Sequence, residues 1–263
     1  QHKIRDDSEA IALPTPTGHL KANNLTFTYP GAKVPALDRV SFSIEPGQTV
    51  AVVGPIGSGK STLAMALPRL LEIDPRQLFV DGHDATKIVL NDLRGAIAFV
   101  PQDSFLFSTT IQNNIRYGDP MAEQPQVQHA AKEAQLHSEI LNFPKQYKTL
   151  VGERGITLSG GQRQRSALSR ALLVNAPILV LDDALASVDN QTATQILSNL
   201  SGGTQQKTVI FVSHQMSAAA SCDRILVMDQ GRIAQSGTHD TLVSQSGLYQ
   251  DLWNQHKLKE VLQ

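Results

Sequence analysis

Four short apolar runs constrain this chain more than any other feature: TVAVVG (49–54), AIAFVPQ (96–102), PILVLDD (177–183) and TVIFVSH (208–214). None alternates apolar with polar, so each is expected to be buried on both faces, as parallel strands covered by helices are. Each run also stops abruptly, at Gly54, at Gln102, at the pair Asp182 and Asp183, and at His214. If the strands are parallel, these endings share one carboxyl edge, where open α/β sheets bind ligands. The runs therefore predict an α/β fold with one composite site.

The remaining segments fit around that sheet. Residues 1–18 are polar and end in LPTPTG, which predicts an extended connector, with the folded domain starting near Leu20. From Leu20 to Ile44 apolar residues alternate around the turn-forming PGAK, as in antiparallel strands with one face buried. The stretch from about 103 to 175 has helical spacing in VQHAAKEAQLHSEILNF and again after Ser159, predicting an inserted helical subdomain. Near the end, ILVMDQGRIAQSG predicts a hairpin turning at Gln230-Gly231, followed by amphipathic helices, with 251–263 as a helical tail.

Composition narrows the function. A net charge of -1 supplies no general basic field for a nucleic-acid backbone, so no nucleic-acid partner is expected. The single cysteine, Cys222, has no Cys/His cluster around it and fits a reducing compartment. No apolar run reaches the roughly 18 residues that span a bilayer, so this piece is expected to be soluble. The start, QHKIRDDSEA, has neither an initiator Met nor an apolar leader, and is expected to be a linker left by excision from a longer chain.

The first strand ending has a specific chemistry. GPIGSGKS, Gly54 to Ser61, fits Gly-x4-Gly-Lys-Ser between an apolar strand and the helix-like STLAMAL, the pattern of a phosphate loop. Glycines let backbone N–H groups curl around phosphate, Lys60 reaches the outer phosphates, and the Ser61 hydroxyl can ligate Mg²⁺. Gly54, Gly57, Ser58, Gly59, Lys60, Ser61 and Thr62 are thus the candidate ATP-binding residues. Pro68 is expected to kink the helix that follows. A second requirement is a carboxylate for the Mg²⁺ at the end of a neighbouring buried strand, which Asp182 meets. Asp183 then falls near the γ-phosphate, where a water-polarising base is needed.

Residues 158–165 read LSGGQRQR. Ser159 is a good N-cap, Gly160 and Gly161 leave N–H groups uncovered, and Ala167, Leu168, Ala171 and Leu172 share one side of the following helix. With the phosphate loop before it and ILVLDD after it, this chain resembles the nucleotide-binding domains of the ATP-binding cassette (ABC) family. That likeness covers about residues 20 to 250 and implies a P-loop ATPase fold with ATP and Mg²⁺ as ligands. It also implies a head-to-tail dimer in which Ser159, Gly160, Gly161 and Gln162 cap ATP held by the other subunit. By the same resemblance Tyr29 stacks on adenine, although a strand-end tyrosine serves equally on sequence alone. Gln102 is similar to the Q-loop glutamine that meets Mg²⁺, His214 to the switch histidine that contacts the γ-phosphate, and Asp189 to the D-loop aspartate. DSFLFSTTIQNNIRYG (103–118) and VGERG (151–155) resemble segments of multidrug-type exporters, which implies membrane domains fused N-terminally and a place for this domain at the cytoplasmic face of the inner cell membrane.

The chain departs from that pattern in two places. The family usually ends this strand in Leu-Asp-Glu, whereas here it is Leu-Asp-Asp, which withdraws the carboxylate at 183 by one C–C bond, about 1.5 Å. The D-loop reads Ala-Ser-Val-Asp where Ser-Ala-Leu-Asp is common. An intact LSGGQ beside a short catalytic carboxylate resembles one half of a heterodimeric exporter, with a different subunit carrying the glutamate. Two other functions remain open on sequence: a regulatory module that ATP dimerises without appreciable turnover, and a soluble ABC ATPase unconnected with transport.

Overall fold

The computed structural model describes residues 4–152, 156–202 and 206–261. Two sheets pack against each other. The smaller has four antiparallel strands in the order β2-β1-β4-β5, with β1 Leu20–Phe27, β2 Leu37–Ile44, β4 Leu78–Val80 and β5 His83–Asp84. Its pattern is the alternation expected from the sequence, with two irregularities: the register shifts between Leu25 and Phe27 and between Ala22 and Leu25, the latter next to Asn24 at φ 50°. That bulge returns Leu25 to the buried face.

The larger sheet has six strands in the order β10-β9-β3-β8-β7-β6, where β3 is Thr49–Val53, β6 Ile97–Val100, β7 Ile178–Asp182, β8 Thr208–Val212, β9 Arg224–Asp229 and β10 Arg232–Gly237. The four apolar runs are β3, β6, β7 and β8, and all their pairings are parallel. Successive residues feed two cores. Val50, Val180, Ile210 and Val212 face the small sheet together with Leu63 and Leu67, whereas Ala51, Leu179, Leu181 and Phe211 face helices on the far side. This is why these strands show no alternation: neither face meets water. β9 is also parallel to β3, which no sequence pattern singles out, and the hairpin to β10 turns at Gln230 (φ 45°) and Gly231 (φ 79°) as expected.

The helix after the phosphate loop, α1 (Lys60–Ala66), is not kinked by Pro68. It ends two residues earlier, with Leu67 as C-cap, because a proline inside would remove an N–H and clash with the carbonyl one turn back. After α2 (Leu90–Ala96) come α3 (Ile111–Arg116), α4 (Gln124–Glu133) and α5 (His137–Leu141), which share a small core of their own with Ile115, Val127, Ile140 and Tyr147. The spacing of VQHAAKEAQLHSEILNF suggests continuous helix, but Gln135 at φ 54° separates α4 from α5. α6 (Gly160–Leu173) ties this group to the large sheet through Leu168 and Leu172. The chain is completed by α7 (Asn190–Gly202), α8 (Met216–Ala220), α9 (His239–Val243) and α10 (Leu248–Val261). α10 runs through the boundary expected at residue 250, and its Tyr249 is fully buried.

The N-terminal stretch is extended, as expected, yet its packing on the domain begins well before Leu20. The Asp6 carboxylate accepts from the Leu90 N–H, Ile11 bridges to Ile88, and Leu13 is buried. The Asp81 carboxylate accepts from the backbone N–H groups of Thr17, Gly18 and His19.

Phe211 is the largest core side chain of the central strands. Phe211→Ala is expected to cost about 3–5 kcal/mol in urea unfolding, whereas Val34→Ala, at a position 74% exposed, stays within about 0.5 kcal/mol of the parent.

Candidate functional site

The carboxyl ends of β3, β6, β7 and β8 open into a cavity of about 570 Å³ lined by Tyr29, residues 56–62, Gln102, Asp183, Val212 and His214 among others. Of the four strand endings predicted to meet, Gln102, Asp183 and His214 line it, and Gly54 and Asp182 bond to its Lys60 and Ser61. The loop itself is fixed by close backbone approach. A Cβ on Gly54 would overlap the Met228 carbonyl, and one on Gly59 would overlap the Ala36 carbonyl. Gly59 (φ 99°) is the N-cap of α1, so the free N–H groups of the first turn point back into the loop.

Lys60 curls over this loop. Its ammonium donates to the carbonyls of Gly54 (2.9 Å) and Pro55 (2.7 Å) and to Ser58 Oγ at 3.4 Å. Burial pushes its pKa below the ordinary value, against the opposing charges of Asp183 and Asp182. A buried cation held only by neutral oxygens at a helix N-terminus is suited to receive phosphate.

The two aspartates have different surroundings. Asp182 is buried at the end of β7 and accepts from Ser61 Oγ at 2.9 Å. Burial raises its pKa and the neighbouring Asp183 charge adds to this, while the Ser61 bond and Lys60 oppose. Asp183 leaves the strand in a left-handed conformation (φ 49°), with its N–H donating to the Val212 carbonyl. One carboxylate oxygen accepts from Gln102 Nε2 at 3.4 Å, and the other is buried without a partner. Among the described residues no group of three or more His, Cys, Asp and Glu could hold a metal by itself. A cation between Ser61 and Asp182 would therefore complete its shell with phosphate and water oxygens, which is how Mg²⁺ ordinarily binds. The orphaned Asp183 oxygen fits such a polar occupant.

Tyr29 stands at the rim, 39% exposed. Its ring packs edge-on against Phe27 (centroids 4.9 Å) and its hydroxyl is 3.3 Å from Thr62 Oγ1. His214 also lines the cavity and is exposed.

Ser159, Gly160, Gly161 and Gln162 do not line this cavity. They form the start of α6, where Ser159 and Gln162 make a reciprocal capping box. Both glycines lie against Ser187: a Cβ on Gly161 would overlap the Ser187 carbonyl, and one on Gly160 would press tightly on the Ser187 side chain. Asp189 caps α7 by accepting from the Thr192 N–H at 2.8 Å. Of VGERG, residues 153–155 lie outside the described residues. Val151 bonds to the Thr109 carbonyl and Thr110 bridges Leu150, so the two exporter-like segments are adjacent.

Three residues to which the sequence assigns no role brace these loops. Gln215 donates to the Leu185 and Val188 carbonyls, joining the segment after His214 to the D-loop. Gln164 accepts from the Ser187 N–H, and Glu139 contacts Gln162. None belongs to a recognisable spacing, because each acts across the fold.

A profile of the family described as ABC transporter matches residues 37–186, more than half of the chain. The chain belongs to the ABC transporter family. The Multidrug resistance-like ATP-binding protein MdlA of Escherichia coli (strain K12) is 45% identical over 259 residues, 98% of this chain and 44% of that protein. The ATP-dependent lipid A-core flippase of Pseudomonas fluorescens (strain Pf0-1) is 44% identical over 244 residues, 92% of this chain and 41% of that protein. Among solved structures, that of a bacterial Atm1-family ABC exporter with ATP bound superposes with a TM-score of 0.90 at 39% identity, covering 97% of this chain and 45% of that one. This ABC domain therefore spans less than half the length of these relatives, and it is an ABC-type nucleotide-binding ATPase domain.

The Asp189 carboxyl is held below its ordinary pKa chiefly by the Thr192 backbone N–H. Because the folded value is the lower one, the stabilisation is present above the unfolded value and lost as pH falls through the folded value. Asp189→Ala is expected to cost about 1 kcal/mol at neutral pH, and urea titrations should show this gap narrowing below about pH 4.

Proposed function

We propose that this domain drives export across a membrane as one half of an asymmetric pair, binding Mg-ATP well at its own phosphate loop but hydrolysing it slowly. The observation that carries the reading is Asp183, placed at the end of β7 beside Gln102 and one carbon short of the usual glutamate. Phosphoryl transfer depends mainly on positioning and charge neutralisation, so a displacement of about 1 Å can cost on the order of 10²-fold in rate.

In this reading Tyr29 stacks on the adenine and Lys60 holds the outer phosphates. Ser61, Asp182 and Gln102 hold Mg²⁺, which when bound neutralises charge developing on the phosphates. Asp183 orients the attacking water and His214 contacts the γ-phosphate. The signature residues Ser159, Gly160, Gly161 and Gln162 cap ATP on the second nucleotide-binding domain, a different subunit with glutamate at the matching position, and Asp189 lies at the interface between them. Membrane domains fused N-terminally would dock near Phe105, Phe107 and Tyr117, an aromatic group held by the Arg170 guanidinium, 5.7 Å from two of the rings. Phe105 and Tyr117 are 66% and 63% exposed, so the group offers apolar surface that a docking partner would cover. The domain then works at the cytoplasmic face of the membrane.

Asp183→Glu is expected to raise phosphate release by the domain about 10- to 100-fold, with ATP affinity little changed. Fast release by the parent domain, with no gain from Asp183→Glu, would overturn the asymmetric assignment. The same short carboxylate favours a second reading, in which ATP pairs the domains for regulation; that reading requires ATP-dependent dimers without measurable phosphate release.

A further inference from the structure

The signature is held from behind by a carboxylate on a different helix. Glu139, on α5, accepts from Gln162 Nε2 at 2.8 Å through one oxygen and pairs with Arg165 Nη1 at 2.6 Å through the other. Each of these partners reaches the signature backbone. Gln162 Oε1 accepts from the Ser159 N–H (3.0 Å), while Ser159 Oγ accepts from the Gln162 N–H (3.2 Å). Arg165 donates through Nε to the Gly161 carbonyl at 3.3 Å and through Nη1 to the Gln135 carbonyl at 2.6 Å. The Arg165 side chain is only 11% exposed and that of Glu139 36%, so the node is partly shielded from solvent.

Charge decides what this node can do. An unpaired carboxylate near the start of α6 would oppose an anion approaching the helix N-terminus. With Arg165 as counter-ion, the acid retains its directional bonds while its charge is offset. We propose that Glu139 is a positioning residue for the signature: it fixes the Gln162 side chain, and with it the Ser159 hydroxyl and the Gly161 peptide, in the geometry that meets the partner's ATP. It touches no nucleotide itself. The inference rests on the proposal above that the signature acts across the dimer.

The test uses the full-length protein that carries this domain, assembled with its partner. Glu139→Ala is expected to lower kcat for ATP about tenfold, the equivalent of losing one charge-assisted hydrogen bond. Binding of trinitrophenyl-ATP to this chain's own Lys60 loop, measured without dimer closure, is expected to be unchanged. Glu139→Gln keeps an acceptor for Gln162 but no charge for Arg165, so it should retain more turnover than the alanine variant, and it carries the test if Glu139→Ala does not fold. Normal turnover in both Glu139 variants, with Ser159→Arg impairing it, would overturn the role of Glu139 alone. Normal turnover in Ser159→Arg as well would overturn the action of the signature across the dimer. Parallel loss of trinitrophenyl-ATP binding and kcat would make Glu139 merely structural.

Discussion

The parallel pairing of β3, β8 and β7 is the constraint on which the rest of this domain depends. Thr49 to Val52 pair with Val209 to Val212, and Ile178 to Asp182 pair with Thr208 to Val212, in unbroken register. A parallel ladder requires every return connection to cross a face of the sheet, so both faces are covered and every side chain of these strands is buried. The register also fixes the site. It sets the start of the phosphate loop beside the end of β8 and puts Asp182 within 2.9 Å of Ser61 Oγ, across 121 residues of sequence. A slip of one residue in β7 would turn Asp182 to the other face of the sheet and present Leu181 to the loop.

The second organising element is α6, which belongs to two cores at once. Leu168 and Leu172 pack into the large-sheet core, while Leu158, just ahead of the helix, lies in the small core shared by α3, α4 and α5. The segment from Leu158 through α6 is therefore packed against both cores. The first turn of the same helix also presses Gly160 and Gly161 against Ser187. Gln215 extends that contact toward His214 through the carbonyls of Leu185 and Val188. The segments around His214 and Ser159 are thus joined by short polar contacts as well as by the sheet.

Much of the site is legible in the amino-acid sequence. The phosphate loop, Asp182 and the cap at Ser159 each depend on local chemistry: glycines where backbone must approach backbone, a hydroxyl before a helix, a carboxylate closing an apolar strand. The sheet is legible because two-sided burial leaves a continuous apolar run. Pro68 is ambiguous in sequence, since a short helix can end before a proline as readily as bend at one, and α1 ends. Gln135 gives no warning of the break between α4 and α5, since a left-handed non-glycine residue is imposed by packing and not by its side chain. The early docking of residues 6–18 is equally silent. It depends on single carboxylates, Asp6, Asp81 and Asp92, meeting backbone N–H groups more than sixty residues away.

By itself the sequence determined the family, the parallel core and the pattern of the phosphate loop, because those follow from residue type and spacing within a few turns of chain. Only the tertiary structure decided how the groups are held. It gave Asp183 a left-handed backbone with one oxygen orphaned, placed Glu139 behind Gln162, and set Gln215 under the D-loop. The physical reason is the same in each case. A hydrogen bond is specified by positions a few ångströms apart, and no local pattern records which distant segments will be brought to that separation.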